Sequence, residues 1–308
     1  MSVIEGLHLT KAYGELHAIQ DLSFSIEANT ITGLIGRNGA GKTTLLKMIA
    51  GHLRPTRGEL KVFDQRPFDN LVIAGNTVFV NDSMTFPESF TLQNILKEVA
   101  TFYPNWNQSI AQGLFDYFQL NPHQCHSNLS KGSKSTFQAI IGIASRCPLT
   151  LMDEPTTGMD SAVRKDFYRA LLKDYIEYPR TVILSSHLLG ELEDILEDIL
   201  LLDQGTKKLQ MSTLDMKQYA LGFRGNAQAI EAFLQGHLRG DTPEEGILRR
   251  EEFAKGSLYV VVRAENLAVG YERIRQQDVE VMPIALDDLC NYLTAKTKGG
   301  IDDVFKRG

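Results

Sequence analysis

Short runs of apolar and β-branched residues at Val3–Leu9, Leu22–Ile26 and Ile31–Ile35, broken by turn formers such as Gly14 and Asn29, predict three strands at the start of the chain. The third runs into a glycine-rich segment, Gly36–Thr44. Leu45–Gly51 then places apolar residues at helical spacing and stops at a glycine, so the local order is strand, glycine loop, helix. A further strand pair is predicted at Glu59–Phe63 and Thr77–Val80. Helical periodicity dominates Thr91–Phe102, Asn107–Phe118 and Ser133–Arg146, which places a helical insertion at about residues 90–147. Strands return at Leu149–Met152, Thr181–Ser185 and Ile199–Leu202, with helices predicted over Ser161–Tyr175 and Leu188–Leu196. Strands alternating with helices argue a mostly parallel α/β sheet. From Gly205 the texture changes: Ala220–Arg224, Gln228–Gln235, Leu258–Arg263, Leu267–Gln276, Val279–Ile284 and Leu286–Thr294 read as short strands and helices, punctuated by Gly225, Gly236, Gly240, Gly246 and Gly256. An α/β domain over 1–204 and a small α+β domain over 205–308 are expected.

Composition narrows the class without naming it. The 308 residues are 43% hydrophobic and 23% charged, as in an ordinary folded protein rather than a disordered or fibrous one. The net charge is −6, and it belongs to residues 1–204, which hold 17 basic and 23 acidic side chains against 15 of each in the remainder. Neither part offers a basic stripe, which excludes nucleic acid as the main partner. Cys125, Cys147 and Cys290 are widely spaced and form no CxxC pair, so neither a disulfide framework nor a zinc site is indicated and a reducing compartment is expected. MSVIEGLHLTKAYG lacks the regions of a signal peptide, and no window approaches the roughly 18–20 apolar residues of a spanning helix. On its own the chain is not expected to cross a bilayer.

The glycine segment carries chemistry. Gly36, Arg37, Asn38, Gly39, Ala40, Gly41, Lys42 and Thr43, followed by Thr44, match G-x-x-x-x-G-K-[ST] in the strand-to-helix position that phosphate capture requires. Glycines let backbone N–H groups curl around a phosphate, the helix N-terminus adds its dipole, Lys42 neutralises phosphate oxygens, and the Thr43 hydroxyl is suited to Mg²⁺. The strand Leu149–Met152 ends in Asp153 and Glu154. The first is placed to hold Mg²⁺ through water, the second to orient and deprotonate an attacking water.

The order of these motifs resembles the nucleotide-binding subunit of an ATP-binding cassette (ABC) transporter over about residues 3–204. That resemblance implies a P-loop NTPase cassette with a mixed sheet core and a helical subdomain. It implies that Tyr13, 23 residues before Gly36, stacks on adenine. Leu129-Ser130-Lys131-Gly132-Ser133 resembles the family's LSGGQ signature, in which Ser130 and Gly132 would contact the γ-phosphate of ATP bound to a second subunit; Lys131 and Ser133 depart from the pattern. Gly158-Met159-Asp160 resembles the segment that follows the subunit interface, and His187 the switch histidine at the γ-phosphate. Where the family carries a Mg²⁺-binding glutamine this chain reads Asn81-Asp82, so Asn81 has the carbonyl but a shorter reach, and Asp82 could replace it through water.

ATFYPNWN (100–107) and DFYRALLKDYIEYPRTVILSSH (166–187) look closest to the YtrB-like branch of ABC ATPases. The branch implies an ATP-hydrolysing subunit that dimerises around two MgATP and drives integral membrane subunits, of an export type tied to bacterial envelope stress, from the cytoplasmic face of the membrane. Lys42, Glu154 and His187 would carry catalysis. Two alternatives stand beside it: a soluble ABC ATPase of translation or repair, disfavoured by the single cassette without a coiled-coil insertion, and an ATP-sensing regulator without turnover, disfavoured by the intact Lys42, Glu154 and His187. Residues 205–308 read either as a dimer-stabilising appendage or as a regulatory domain.

Overall fold

The computed structural model describes residues 2–238, 246–267 and 279–294, in two compact units that divide at Gln210/Met211. In the first unit β1 (Ser2–Tyr13) and β2 (Leu16–Glu27) pair antiparallel. β3 (Ile31–Ile35) is buried along its whole length, and α1 (Lys42–Ile49) follows the glycine loop. β4 (Arg57–Val62) pairs with the other edge of β1, giving a three-stranded antiparallel sheet β2-β1-β4. After α2 (Leu71–Gly75), β5 (Thr77–Val80) enters a different sheet. The two strands expected as a pair therefore do not meet.

α3 (Leu92–Phe102), α4 (Gln108–Tyr117) and α5 (Lys131–Ala144) build the helical insertion around a core that includes Ile95, Phe115 and Phe137. Each starts on a side-chain cap, Thr91, Asn107 and Ser130 respectively, which satisfies N–H groups the helix leaves unpaired. The chain then returns to the main sheet with β6 (Leu149–Asp153), α6 (Ser161–Glu177), β7 (Thr181–Ser186), β8 (Asp198–Asp203) and β9 (Thr206–Ser212). The six strands lie in the order β5-β6-β7-β3-β8-β9, with β5, β6, β7, β3 and β8 parallel. Continuous apolar runs such as those of β3 and β7 are what a sheet covered on both faces demands. Because the strands are parallel, their C-terminal ends gather on one edge, where Gly36, Asp153 and Ser186 emerge.

Two expectations need correction here. Gln204 and Gly205, with φ of 49° and 78°, make a tight turn into β9, so the first unit runs past residue 204. Leu188–Leu196 is not a helix but a chain of turns, with Leu192 N–H donating to Leu189 O and Ile195 N–H to Leu192 O. Its apolar spacing does report burial, since Leu189, Leu192, Ile195 and Leu196 are all inside. Burial at that spacing does not require a continuous helical ladder, and Gly190 lowers the helical preference.

Deep in the first unit, Asp174 of α6 holds two cations. Arg146, just beyond α5, reaches its Oδ1 at 2.6 Å, and Arg180, 1% exposed at the start of β7, reaches its Oδ2 at 2.8 Å. The network ties α5, α6 and β7 together at the sheet edge opposite the glycine loop.

The second unit opens with α7 (Thr213–Lys217) and continues through β10 (Ala220–Asn226), α8 (Ala227–His237), β11 (Ile247–Ala254), β12 (Ser257–Arg263), β13 (Val279–Pro283) and α9 (Leu286–Leu293). Its antiparallel sheet has the order β11-β12-β10-β13, a split βαβ arrangement with Phe223, Phe233 and Val260 in its core. The expected element Leu267–Gln276 lies, apart from Leu267, outside the described residues, as does the turn at Gly240.

Candidate functional site

The loop between β3 and α1 turns on glycine. Gly41 has φ of 103°, and a Cβ there would stand 2.5 Å from the Ala18 carbonyl oxygen, so any side chain would be strained and would clash with backbone. The turn delivers Lys42 to a position only 6% exposed, where its Nζ donates to Gly36 O at 2.6 Å and to Arg37 O at 3.4 Å. The same ammonium pairs with Glu154 Oε1 at 3.1 Å. Glu154 Oε2 in turn lies 2.9 Å from His187 Nδ1. One carboxylate thus bridges the loop lysine and the histidine beyond β7.

Beside this cluster sits a second one. Thr43 Oγ1 donates to Asp153 Oδ2 at 2.6 Å, and Ser185 Oγ donates to Asp153 Oδ1 at 2.6 Å. The Ser185 oxygen also accepts the Glu154 N–H at 2.9 Å. Glu154 has φ of 48°, a left-handed conformation that a non-glycine residue holds only when its surroundings enforce it, and the bond to Ser185 is part of that enforcement. Thr43 and Asp153 offer hard oxygen donors at one point. That donor set fits Mg²⁺, which takes one or two protein oxygens and fills its remaining positions from water and phosphate. No cluster of three or more His, Cys, Asp or Glu capable of holding a metal occurs among the described residues.

Two adjoining clefts of about 570 Å³ each open here, sharing Asn38, Thr43 and Glu154. The first runs from the glycine loop to Tyr13, which is 47% exposed, and includes Arg37, Gly39, Ala40, Gly41, Lys42 and Thr44. The second is bounded by Asn81, Asp82, Lys131, Lys134, Asp153 and His187.

The expected residues fall into two groups. Tyr13, the Gly36–Thr44 loop, Asp153, Glu154 and His187 converge. Ser130, Gly132 and Asp160 do not join them through any bond: Ser130 Oγ caps α5 by accepting the Ser133 N–H, and Asp160 caps α6 by accepting the N–H groups of Ala162 and Val163 at 2.9 Å each. Gly132 serves a close backbone approach, since a Cβ there would lie 2.3 Å from Gly158 O. Asn81 lines the second cleft, but its Oδ1 accepts the Ser83 N–H at 2.8 Å, so the acceptor is engaged in a local turn rather than bonded to Thr43 or Asp153. Ser185 is the residue the motif reading missed. The available signal was a pair of serines closing an otherwise apolar buried strand, where a polar group needs a partner.

Comparison with known proteins follows the same lines. Residues 19–157 match the family model described as ABC transporter. The chain is 26% identical over 216 residues to the ABC transporter ATP-binding protein YtrB of Bacillus subtilis (strain 168), covering 70% of this chain and 74% of that protein. It is 28% identical over 212 residues to the bacitracin transport ATP-binding protein BcrA of Bacillus licheniformis, covering 66% and 68%. Among solved structures, an ATP-binding subunit of an ABC transporter superposes with a TM-score of 0.63 at 23% identity, over 70% of this chain and 92% of that one. A dimeric cassette in a post-hydrolysis state with ADP and Pi gives 0.60 at 21% identity, over 68% and 98%.

Proposed function

The first unit belongs to the ATP-binding domains of ABC transporters, a family of ATP-hydrolysing transporter subunits, and from that premise we propose how this chain works. It binds MgATP on the Gly36–Thr44 loop, closes head to tail on a second cassette with two nucleotides between them, and reopens on hydrolysis. Opening and closing drive separate integral membrane subunits of an export system from the cytoplasmic face. The observation that carries this reading is the bridge Lys42–Glu154–His187 beside the bonded pair Thr43–Asp153.

Each residue then has a task. Tyr13 stacks on the adenine at the far end of the first cleft, and the loop N–H groups with Lys42 bind the β- and γ-phosphates. Mg²⁺, held by Thr43 and Asp153, would offset the phosphate charge. The attacking water gives its proton to Glu154 as its oxygen bonds to the γ-phosphorus, and the bond to the β–γ bridging oxygen breaks with the electron pair leaving on ADP. Lys42 and His187 hold Glu154 in place and face the γ-phosphate. Ser130, Gly132 and Asp160 lie at the starts of α5 and α6, unbonded to their own site, which leaves them for the nucleotide of a second cassette. A closed pair that binds ATP far better than an open one supplies the population shift that moves the membrane subunits.

The export direction rests on a relative named for Nod factor export (Rhizobium johnstonii), although another relative is named for Fe(3+) import. The envelope-stress assignment rests on the similarity to YtrB. Purification of the tagged chain from membranes tests the partnership: an integral membrane protein co-purifying in stoichiometric amount supports it, and a chain recovered alone from gently solubilised membranes contradicts it. Lys42→Ala, which removes the ammonium from the loop, should abolish ATP turnover; undiminished phosphate release would contradict the assignment.

A further inference from the structure

In the middle of α5 a glutamine is set among apolar residues. Phe137, Ala139, Ile140 and Ile141 are buried, and Gln138 beside them is only 5% exposed. A buried amide costs free energy unless its polar atoms are bonded. Gln138 is half satisfied: its Nε2 donates to Met84 O at 3.2 Å, while its Oε1 accepts no hydrogen bond among the described residues. A carbonyl can only accept, so Met84 O fixes which end of the amide carries the nitrogen and leaves the oxygen at the other.

Lys131, Lys134, Ser135 and Gln138 recur at helical spacing and form one face of α5, which lines the second cleft together with Thr43, Asp153 and Glu154. In the same cleft the carbonyl expected at the end of β5 is withdrawn. Asn81 Oδ1 accepts the Ser83 N–H at 2.8 Å, Asn81 O accepts the Met84 N–H at 3.1 Å, and Asp82 Oδ1 accepts from the Ser83 hydroxyl at 3.2 Å. The turn that occupies the Asn81 side chain is the turn that presents Met84 O to Gln138. One side-chain carbonyl is engaged, and another is left unbonded on the same cleft.

We propose that Gln138 supplies the glutamine oxygen missing after β5: its Nε2 holds the turn over residues 81–84 on α5, and its Oε1 accepts a hydrogen bond from the water shell of the Mg²⁺ that fits Thr43 and Asp153. This rests on the nucleotide-binding reading of that site. An oxygen acceptor has nothing to gain from a phosphate oxygen, which is itself an acceptor, so the occupant that suits Oε1 is a water or a cation. Mg²⁺ bound through one or two protein oxygens keeps several waters, and the ion polarises them as donors. Gln138 is therefore a positioning residue for the metal, carried by α5 and not by the strand end.

The test loads the full chain with a non-hydrolysable ATP analogue and uses Mn²⁺ in place of Mg²⁺, so that free metal is counted by electron paramagnetic resonance. Gln138→Met keeps the reach and loses the amide, and it should bind Mn²⁺ about two- to tenfold more weakly, the effect of one hydrogen bond. Affinity for the metal-free analogue, measured by calorimetry in EDTA, should stay within about twofold, since Lys42 and the loop are untouched. A merely structural Met84 bond would move both affinities together or neither. Gln138→Glu keeps an acceptor but loses the donor to Met84 O, so it should hold Mn²⁺ at least as tightly as the parent. Parent Mn²⁺ affinity in Gln138→Met overturns the proposal, as does a Gln138→Glu variant as weak as Gln138→Met, or a loss of metal in Asp82→Asn that Gln138→Met does not show. Should neither Gln138 variant fold, the parent still decides: Mn²⁺ with the analogue should broaden the Gln138 side-chain amide signals in nitrogen–proton NMR, and signals left sharp overturn the proposal. A parent that binds no analogue overturns the nucleotide reading and this proposal with it.

Discussion

Ser185→Ala removes one hydroxyl and three things with it. The Asp153 Oδ1 loses its donor, the Glu154 N–H loses its acceptor, and the left-handed turn at Glu154 loses a restraint. Ser185 is fully buried, so water does not replace the lost bonds. A hydrogen bond to a charged group contributes about 1.5–3 kcal/mol, and a buried N–H left unpaired costs about 1–3 kcal/mol. The two bonds share one oxygen and are not additive, so a loss of about 2–4 kcal/mol in the unfolding free energy of the first unit is expected, read as a lower denaturation midpoint. On the proposed role of Glu154 as the group that takes the water's proton, a shift of its backbone should lower turnover as well. A displacement of about 1 Å can cost a hundredfold, so a fall in kcat of at least about tenfold is expected where the variant is still fully folded. ATP KM should move by less than about threefold, since Lys42 and the loop are untouched. The assays are urea denaturation followed by far-UV circular dichroism and steady-state phosphate release. A variant with the parent's midpoint and the parent's kcat would refute the positioning argument.

Other residues give sharp expectations. Asp174→Ala strands Arg180 and Arg146 without their shared carboxylate, and removing one partner of a buried pair costs about 3–5 kcal/mol, read as a lower denaturation midpoint; parent stability would contradict the network. Gly41→Ala forces a Cβ against Ala18 O at φ of 103° and should abolish ATP binding measured by calorimetry, whereas parent affinity would show that the loop conformation is not required. His126 is buried between Phe86 and Phe137 with its Nε2 unpartnered, and burial lowers its pKa below the ordinary 6.5. Its neutral form is favoured in the fold, so the unfolded chain binds more protons below pH 6.5 and stability falls as pH drops through that value. His126→Leu should lose less stability than the parent between about pH 7.5 and 5.5 by denaturant titration, and equal losses would contradict this.

What could be read from the sequence was what depends on contiguous residues. Phosphate capture needs several N–H groups from one turn, so Gly36–Thr44 announces itself locally, and Asp153 and Glu154 announce themselves by closing an apolar strand. Ser185 has meaning only through the register Asp153↔Ser185 between β6 and β7, which no local pattern encodes. Asn81 supplies a suitable carbonyl, but whether that oxygen is available depends on a turn to Ser83. β11 was missed because its exposed residues, with Arg249, Arg250, Glu251 and Glu252 in succession, show no alternation; such charge guards an edge strand against pairing with other chains. The turns over Leu188–Leu196 fail in the opposite sense, with the periodicity reporting burial and not backbone hydrogen bonding.

The claim on which the functional account stands is that Glu154, held between Lys42 and His187, takes the proton of the water that attacks ATP. Phosphate release by Glu154→Gln, measured together with its oligomeric state in MgATP by light scattering, tests it most directly. Turnover at least about a hundredfold below the parent, with a nucleotide-bound dimer accumulating, is the predicted result. Phosphate release at the parent's rate would contradict it.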